Sequence, residues 1–333
     1  MKKFAIIFLM ASLLFIPDSQ AQKKLAQTGF QFLSVGIDAR ATAMGEAFTS
    51  IGGSSICLFY NPAGLAQMRS RINLSFSQME WIADIKYNAG TFGLNLFDGK
   101  YGVLGVSFLT VDYGEFLWTK VAKTEAGFED IEEGWPQPTA FMLGLGYAKE
   151  LSDKFSVGGQ IKMVTQDLGK SYVPVYTETD TIQEVRDYSK NVPAFDFGTI
   201  YRTGFKSLAF GMTIRNFSQE VKYEKEGFQL PLTFKIGIFL NAFDFLPSLE
   251  KYHKLNIAID AVHPRSYPEF INIGGEYVFM DMIFLRAGYI SNQDVYDFTA
   301  GIGFEYFGLA LDYSYMPFSV FDNVNRFSVK FSF

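Results

Sequence analysis

The sequence predicts an all-β protein, a 14-stranded antiparallel transmembrane β-barrel with an N-terminal plug segment, and three observations predict it. Apolar and polar side chains alternate with a period of two from about residue 70 to the last residue. Most alternating segments run to about 9–12 residues, what a tilted strand needs to cross a bilayer and longer than the strands of soluble sandwiches. Short and long connections take turns between them, as periplasmic turns and outer loops do in bacterial barrels. Composition agrees. Aromatic content is 17%, with 36 Phe and 18 Tyr, which favours strands. Mean hydropathy is only +0.08, as expected when each strand has one lipid-facing and one lumenal face.

Taken in order, residues 1–21 read as a signal peptide. Lys2 and Lys3 form the basic start, Phe4 to Ile16 the apolar stretch, and Ser19-Gln20-Ala21 the cleavage site. The apolar run is too short for a membrane helix, so export and cleavage near Ala21 are expected. Removal of two lysines and Asp18 moves the formal net charge from -6 to -7, which argues against a nucleic-acid partner. The single Cys57 lies far from the cleavage site and cannot form an internal disulfide. Residues 22–69, rich in small side chains and nearly free of alternation, are the expected plug or hatch segment, and residues 70–333 the barrel.

Strands are expected near 70–79, 85–96, 100–112, 139–150, 154–167, 193–203, 206–216, 231–240, 254–263, 269–279, 282–291, 297–305, 308–316 and 325–333. Asp98-Gly99, Ser152-Asp153, Gly204-Phe205, Met280-Asp281 and Tyr306-Phe307 read as tight periplasmic turns. Long polar links at 113–138, 168–192, 217–230, 264–268, 292–296 and 317–324 all fall on the outer side. Segment 241–253 breaks the rule by being long on the periplasmic side. Its Phe243, Phe245, Leu246 and Leu249 suggest a short interfacial helix or a partner surface. Link 113–138 is acidic and carries Trp118 and Trp135, which suits a solvated loop with aromatics on the rim. Alternating Phe327, Val329, Phe331 and terminal Phe333 resemble the C-terminal signal read by barrel-assembly machinery.

With the apolar face toward lipid, the other face lists the lumen: Lys162, Asp196, Arg202, Arg215, Lys235, Asp260, Glu276, Arg286, Glu305 and Asp312, with Gln160, Asn256, Asn272, Ser314, Arg326 and Lys330. The signs are mixed, so charges on neighbouring strands can satisfy one another, whereas a charge-selective pore shows a ring of one sign. Strands two and three also admit Phe92, Leu94, Leu96, Leu104, Val106 and Phe108 on the inner face, with an apolar pocket beside them. Catalysis has little support: His253 and His263 have no convincing nucleophile or metal-ligand pattern beside them, and no metal or other cofactor is expected. Gly158-Gly159 and Gly274-Gly275 sit inside strands, where glycine marks a bend or close packing.

One stretch carries a family signature. Asp38-Ala39-Arg40, Ala43-Met44-Gly45-Glu46-Ala47-Phe48 and Asn61-Pro62-Ala63-Gly64-Leu65 resemble the start of the PorV/PorQ family of outer-membrane proteins. Pro231-Leu232-Thr233, Gly274-Gly275-Glu276-Tyr277 and Leu285-Arg286-Ala287-Gly288-Tyr289 resemble later strands of that family. The resemblance implies a FadL-like fourteen-stranded barrel in the bacterial outer membrane, with outer-membrane lipid around it. It also implies a plug or gate drawn from Arg40, Met44, Gly45, Asn61, Pro62, Ala63 and Gly64, with Arg40 paired to a lumenal carboxylate. The implied role is a component of a type IX secretion system, binding the translocon or the C-terminal domains of cargo proteins at the cell surface. The alternative is a FadL-like channel for small hydrophobic molecules.

Overall fold

A computed structural model describes residues 28–121, 127–130, 137–176, 181–246, 252–292, 297–318 and 322–333. The expected signal peptide and the start of the expected plug lie outside them, as do much of the acidic link 113–138 with Trp135, and Leu249. The chain forms β1 Ile72–Glu80, β2 Lys86–Asn95, β3 Val103–Asp112, β4 Thr119–Val121, β5 Phe128–Asp130 and β6 Thr139–Ser152. It continues through β7 Phe155–Tyr176, β8 Thr181–Arg202, β9 Ala209–Ser218, β10 Val221–Lys222, β11 Gly227–Phe228 and β12 Thr233–Asn241. The last strands are β13 His253–Pro264, β14 Phe270–Phe279, β15 Ile283–Ile290, β16 Phe298–Tyr306, β17 Leu309–Met316 and β18 Val324–Ser332.

Fourteen of these close into one antiparallel barrel in the order β1-β18-β17-β16-β15-β14-β13-β12-β9-β8-β7-β6-β3-β2. β1 meets β18 from Asn73–Ser332 to Glu80–Asn325, so no sheet edge is left in the wall at the seam. The pairs β4-β5 and β10-β11 are small hairpins in the outer links. Alternation sets the two faces: on β13, Ile257 and Ile259 are exposed on the outside while Ala258 and Asp260 are buried inside. Such rows build the apolar belt that replaces a soluble protein's surface.

Three expectations change. Residues 168–192 are not a polar loop: β7 and β8 run on as a paired ladder to Tyr176 opposite Thr181. The sequence hides this because the register shifts between Asp167 and Lys170, and a bulge breaks the alternation. Phe92, Leu94, Leu104, Val106 and Phe108 belong to the outward rows of β2 and β3, with Leu104 54% exposed. The inward positions are Tyr87, Ala89, Thr91, Gly93, Val103, Gly105, Ser107, Leu109 and Val111, and Tyr87, Leu109 and Val111 are buried in a hydrophobic core shared with the N-terminal segment. Third, the turn between β2 and β3 is longer than Asp98-Gly99: Phe97, Asp98 and Gly99 are all left-handed and β3 starts at Val103. In segment 241–253, Ala242–Phe245 forms one 3-10 turn. Buried Asp244 accepts from Ser207 N–H at 2.8 Å there, while Phe245 and Leu246 stay exposed.

The N-terminal residues lie within the barrel. Thr28 forms a parallel bridge with Gln229 and hydrogen-bonds Ser266 at the outer end. Asn95 Nδ2 donates to the Met68 carbonyl at 2.6 Å at the inner end, so the segment runs the length of the lumen. Inward glycines of the wall receive it: a Cβ at Gly105 or Gly146 would strike Leu58, at Gly211 Thr49, at Gly274 Met44 and at Gly301 Ala43. At Gly158 a Cβ would sit 2.5 Å from the Pro62 carbonyl carbon, and backbone cannot yield as a side chain does. Gly158→Val is therefore expected to lower the folded fraction sharply, read as heat-modifiable migration of the outer-membrane protein on gels. Gly159→Val, on the outward face, where a Cβ would meet nothing closer than 3.5 Å, is expected to leave migration unchanged.

Candidate functional site in the lumen and at the outer rim

Each lumenal charge is set by a strand position and answered by the N-terminal segment or a neighbouring strand. A short helix, Ala39–Ala43, begins at Asp38, whose side chain accepts from Ala41 N–H, a normal N-cap. The helix aims Arg40 at the wall, where Nε and Nη2 each donate to Glu276 at 2.8 Å, a two-pronged contact. Glu276 also accepts from Arg286 Nε at 2.7 Å and Asn256 Nδ2 at 3.0 Å. Arg286 Nη1 reaches Asp312 at 2.5 Å. Arg40, Glu276, Arg286 and Asp312 thus form one chain from the segment across β14, β15 and β17. Its members are buried except Arg40, whose side chain is 22% exposed.

The helix ends at Met44 and Gly45. Gly45 is left-handed at φ 61°, and its N–H donates to Thr299 Oγ1 at 3.1 Å. Glu46 follows at φ 59°, an unusual conformation for a residue with a Cβ, and its carboxylate meets Lys235 at 3.7 Å. Asp260 beside it accepts from the N–H groups of Phe48 and Thr49 at 3.0 Å and from Thr49 Oγ1 at 2.6 Å. Lys162 forms a separate buried pair with Asp196 at 2.8 Å and donates to Asn216 Oδ1 at 2.6 Å.

Asn61 is fully buried and extended, as the residue before a proline prefers. Its Oδ1 accepts from Ala63 N–H, capping the 3-10 turn Pro62–Gln67, and its Nδ2 donates to Thr49 O at 2.7 Å and Thr199 O at 3.1 Å. One side chain thereby ties two parts of the segment to β8. Pro62 rests on Gly158, Ala63 on Ile200 and Ala209, and Gly64 under Cys57, whose Sγ donates to Ile51 O.

Three sequence-derived lumen residues fall outside these clusters. Arg202 is at the periplasmic mouth, 3.5 Å from Glu150, which Arg69 also bonds. Glu305 meets Lys330 at 3.4 Å. Arg215 lies over the Tyr60 ring at 5.9 Å and borders a cavity of about 20 Å³ with Gln160, Lys162, Asp196 and Glu46, room for about one water. Asp38, Glu46, Thr49 and Asn216 join the clusters without having been among the plug or lumen candidates, although Asp38 and Glu46 lie in the family signature. Only Asp38 carried a local signal, as a cap before a small-residue run. Among the described residues no group of His, Cys, Asp and Glu could hold a metal ion.

At the outer rim the β7-β8 ladder carries the β10-β11 hairpin against its inner face. Glu224 accepts from Tyr188 at 2.8 Å and Arg186 at 2.9 Å, contacts that hold its carboxyl below the usual carboxylate range. Tyr223 donates to Gln166 O at 3.3 Å and stacks on Phe228, which packs against Phe30 of the N-terminal segment. The outer hairpin, the small hairpin and the top of the segment form one connected surface.

A closed fourteen-stranded wall, apolar on the outside and filled within by paired charges and a hydrophobic core, defines a bacterial outer-membrane barrel. The chain belongs to the type IX secretion system membrane protein PorP/SprF family, whose model matches residues 130–327, more than half of the sequence. It is an outer-membrane β-barrel component of such a secretion system. The matched range includes the later motifs at Pro231, Gly274 and Leu285 and begins after those at 38–65. No curated protein matches the chain. Solved structures show the fold. The Ralstonia pickettii toluene transporter TbuX aligns with TM-score 0.60 at 11% identity, over 90% of this chain and 98% of that one. The monoaromatic hydrocarbon channel CymD gives 0.58 at 12%, over 90% and 98%. The Pseudomonas putida toluene transporter TodX gives 0.55 at 11%, over 93% and 98%. Family and fold are those of secretion or transport membrane proteins.

The clusters predict an order of damage. Glu276→Ala leaves Arg40 and Arg286 facing each other without their carboxylate and is expected to cost about 3–5 kcal/mol. Arg40→Ala leaves Glu276 bonded to Arg286 and is expected to cost clearly less. Denaturant unfolding in detergent micelles, followed by tryptophan fluorescence, checks the ranking.

Proposed function

We propose that this protein is a plugged scaffold of the type IX secretion apparatus: the N-terminal segment seals the barrel, and partner or cargo proteins bind at the outer surface. One observation carries the reading. The lumen is filled from mouth to mouth by a segment bonded to the wall through Arg40–Glu276, Thr49–Asp260 and Asn61–Thr199. A pore that passes cargo needs an open path, and unmaking several buried charge contacts at once is costly. In this reading Arg40, Met44, Gly45 and Asn61 to Gly64 hold the plug, and the lumenal charges are its sockets. The surface left for proteins is the outer rim, where β7 and β8 stand above the wall with the β10-β11 hairpin. Membership of the PorV/PorQ branch belongs to this proposal, as do the translocon and cargo C-terminal domains as partners.

The solved relatives suggest a channel for small hydrophobic molecules as the second reading. An apolar depression lined by Leu74, Phe76, Phe92, Phe108 and Phe331 has about 330 Å³, but these side chains belong to the lipid-facing rows. Inside, the cavity at Arg215 holds only about 20 Å³, with charges on one side and apolar residues such as Ile37, Phe59, Leu109 and Met142 on the other. The scaffold reading expects negligible conductance of the purified protein in planar bilayers. It also expects secretion-system proteins to be captured from native membranes with the tagged full-length chain. Steady conductance, or capture of no secretion component, sinks it.

A further inference from the structure

Above the membrane wall, β7 and β8 lose their outside neighbours. Pairing of β7 with β6 ends at Asp167 opposite Thr139, and pairing of β8 with β9 ends at Ala194 opposite Ser218. The two strands stay paired with each other to Tyr176 and Thr181. At about 3.3 Å per residue, the nine residues after Asp167 carry β7 about 30 Å past its last partner. Among the described residues this leaves two open ladder edges, and unpaired N–H and C=O rows are ready templates for another strand.

The two edges are not alike. That of β7 is interrupted by the register shift between Asp167 and Lys170, with Gly169 left-handed at φ 81°. It contains Pro174, which has no N–H to offer, and the β4-β5 hairpin flanks it, Lys120 lying over the Tyr172 ring at 5.9 Å. Bulge, proline and covering hairpin are the devices by which proteins close an edge. The edge of β8 has one proline, Pro193, where it parts from β9, and beyond it neither bulge nor covering hairpin. From Glu184 to Lys190 it contains neither glycine nor proline, and the one extra residue of the shift lies on β7. The β10-β11 hairpin does not cover it either, since it binds the inner face through Arg186 and Tyr188. Val185, Asp187 and Ser189 point the other way and are exposed.

We propose that the β8 edge at Glu184–Lys190 is a docking strand, and that its occupant is an extended segment of a secretion partner adding antiparallel to it. The inference rests on the scaffold reading above. A second copy fits poorly: two chains inserted in the same sense present β8 edges in parallel, the slanted and weaker ladder. A segment of another protein is free to run antiparallel. Glu184, Arg186, Asp187 and Lys190 cancel in charge, so the edge suits a strand of low net charge with an apolar residue across from Val185.

The test places a photo-crosslinking amino acid in the full-length protein in whole cells, at Val185, Asp187 and Ser189 or at Lys170, Ser171 and Tyr172, and identifies adducts by mass spectrometry. The β8 positions are expected to yield one secretion-system protein about tenfold more than the β7 positions, with successive sites meeting partner residues in reverse order. Val185→Lys, a charge on the edge, is expected to reduce capture of that protein from native membranes about tenfold, with heat-modifiable migration intact. If the unmodified chain captures secretion proteins while Val185→Lys captures them equally, or both edges crosslink alike, the docking strand is wrong and the scaffold stands. If the unmodified chain captures none, both fall.

Discussion

The structure depends on how closely the N-terminal segment approaches the barrel wall. Glycines at inward positions of β2, β3, β6, β7, β8, β9, β12, β14, β15 and β16 each lie where a Cβ would collide with the segment or a side chain facing it. Backbone therefore packs on backbone across the lumen. That distance lets short polar groups, Thr49 to Asp260 and Ser55 to Asn73, make direct hydrogen bonds. It also keeps Arg40 within reach of Glu276 with little water between them. With larger residues in those rows the segment would not fit, and the buried carboxylates would lose their partners.

The same closeness explains why the lumenal charges are mixed in sign. A buried carboxylate needs compensation within a few ångströms, and here it comes from the segment, from a neighbouring strand, or from both. Glu276 takes both, Asp260 takes backbone and hydroxyl donors of the segment, and Asp196 takes a lysine of the next strand. Interior chemistry is thus spent on holding one conformation. What is left to meet other molecules is the outer rim, where aromatic and charged side chains of β8, β10 and β11 are organised without being enclosed.

Much of this was legible in the sequence, for a physical reason. A lipid-exposed strand must alternate, so strand positions near the seam, such as Val324–Ser332, could be read to within a residue or so. Alternation failed where its cause lapsed. Beyond the membrane β7 and β8 face water on the outside and a small hairpin on the inside, the pattern weakens, and a bulge hides the continuation. Phe92 and Phe108 were open to either face because glycine and alanine opposite them carry no hydrophobic contrast. At the site, Arg40 and Asn61 stood out as polar residues in a small-residue stretch. Their partners could not be found, since contacts such as Arg40 with Glu276 depend on barrel register. The glycines in the strands were visible as close-packing marks, but only the folded wall says that all of them face one object.

The threaded course of the segment constrains how the molecule is built. Residues 28–68 pass from the outer mouth to the inner one and continue directly into β1, which the final strand seals. Arg40, Phe48 and Tyr60 are too bulky to slide past a finished ring whose inward glycines are already in contact with backbone. The seam between β1 and β18 must close around a segment that is already in place. Wall and filling are one event in assembly, and the first residues of the segment reach the cell exterior by being enclosed, without translocation through a completed barrel.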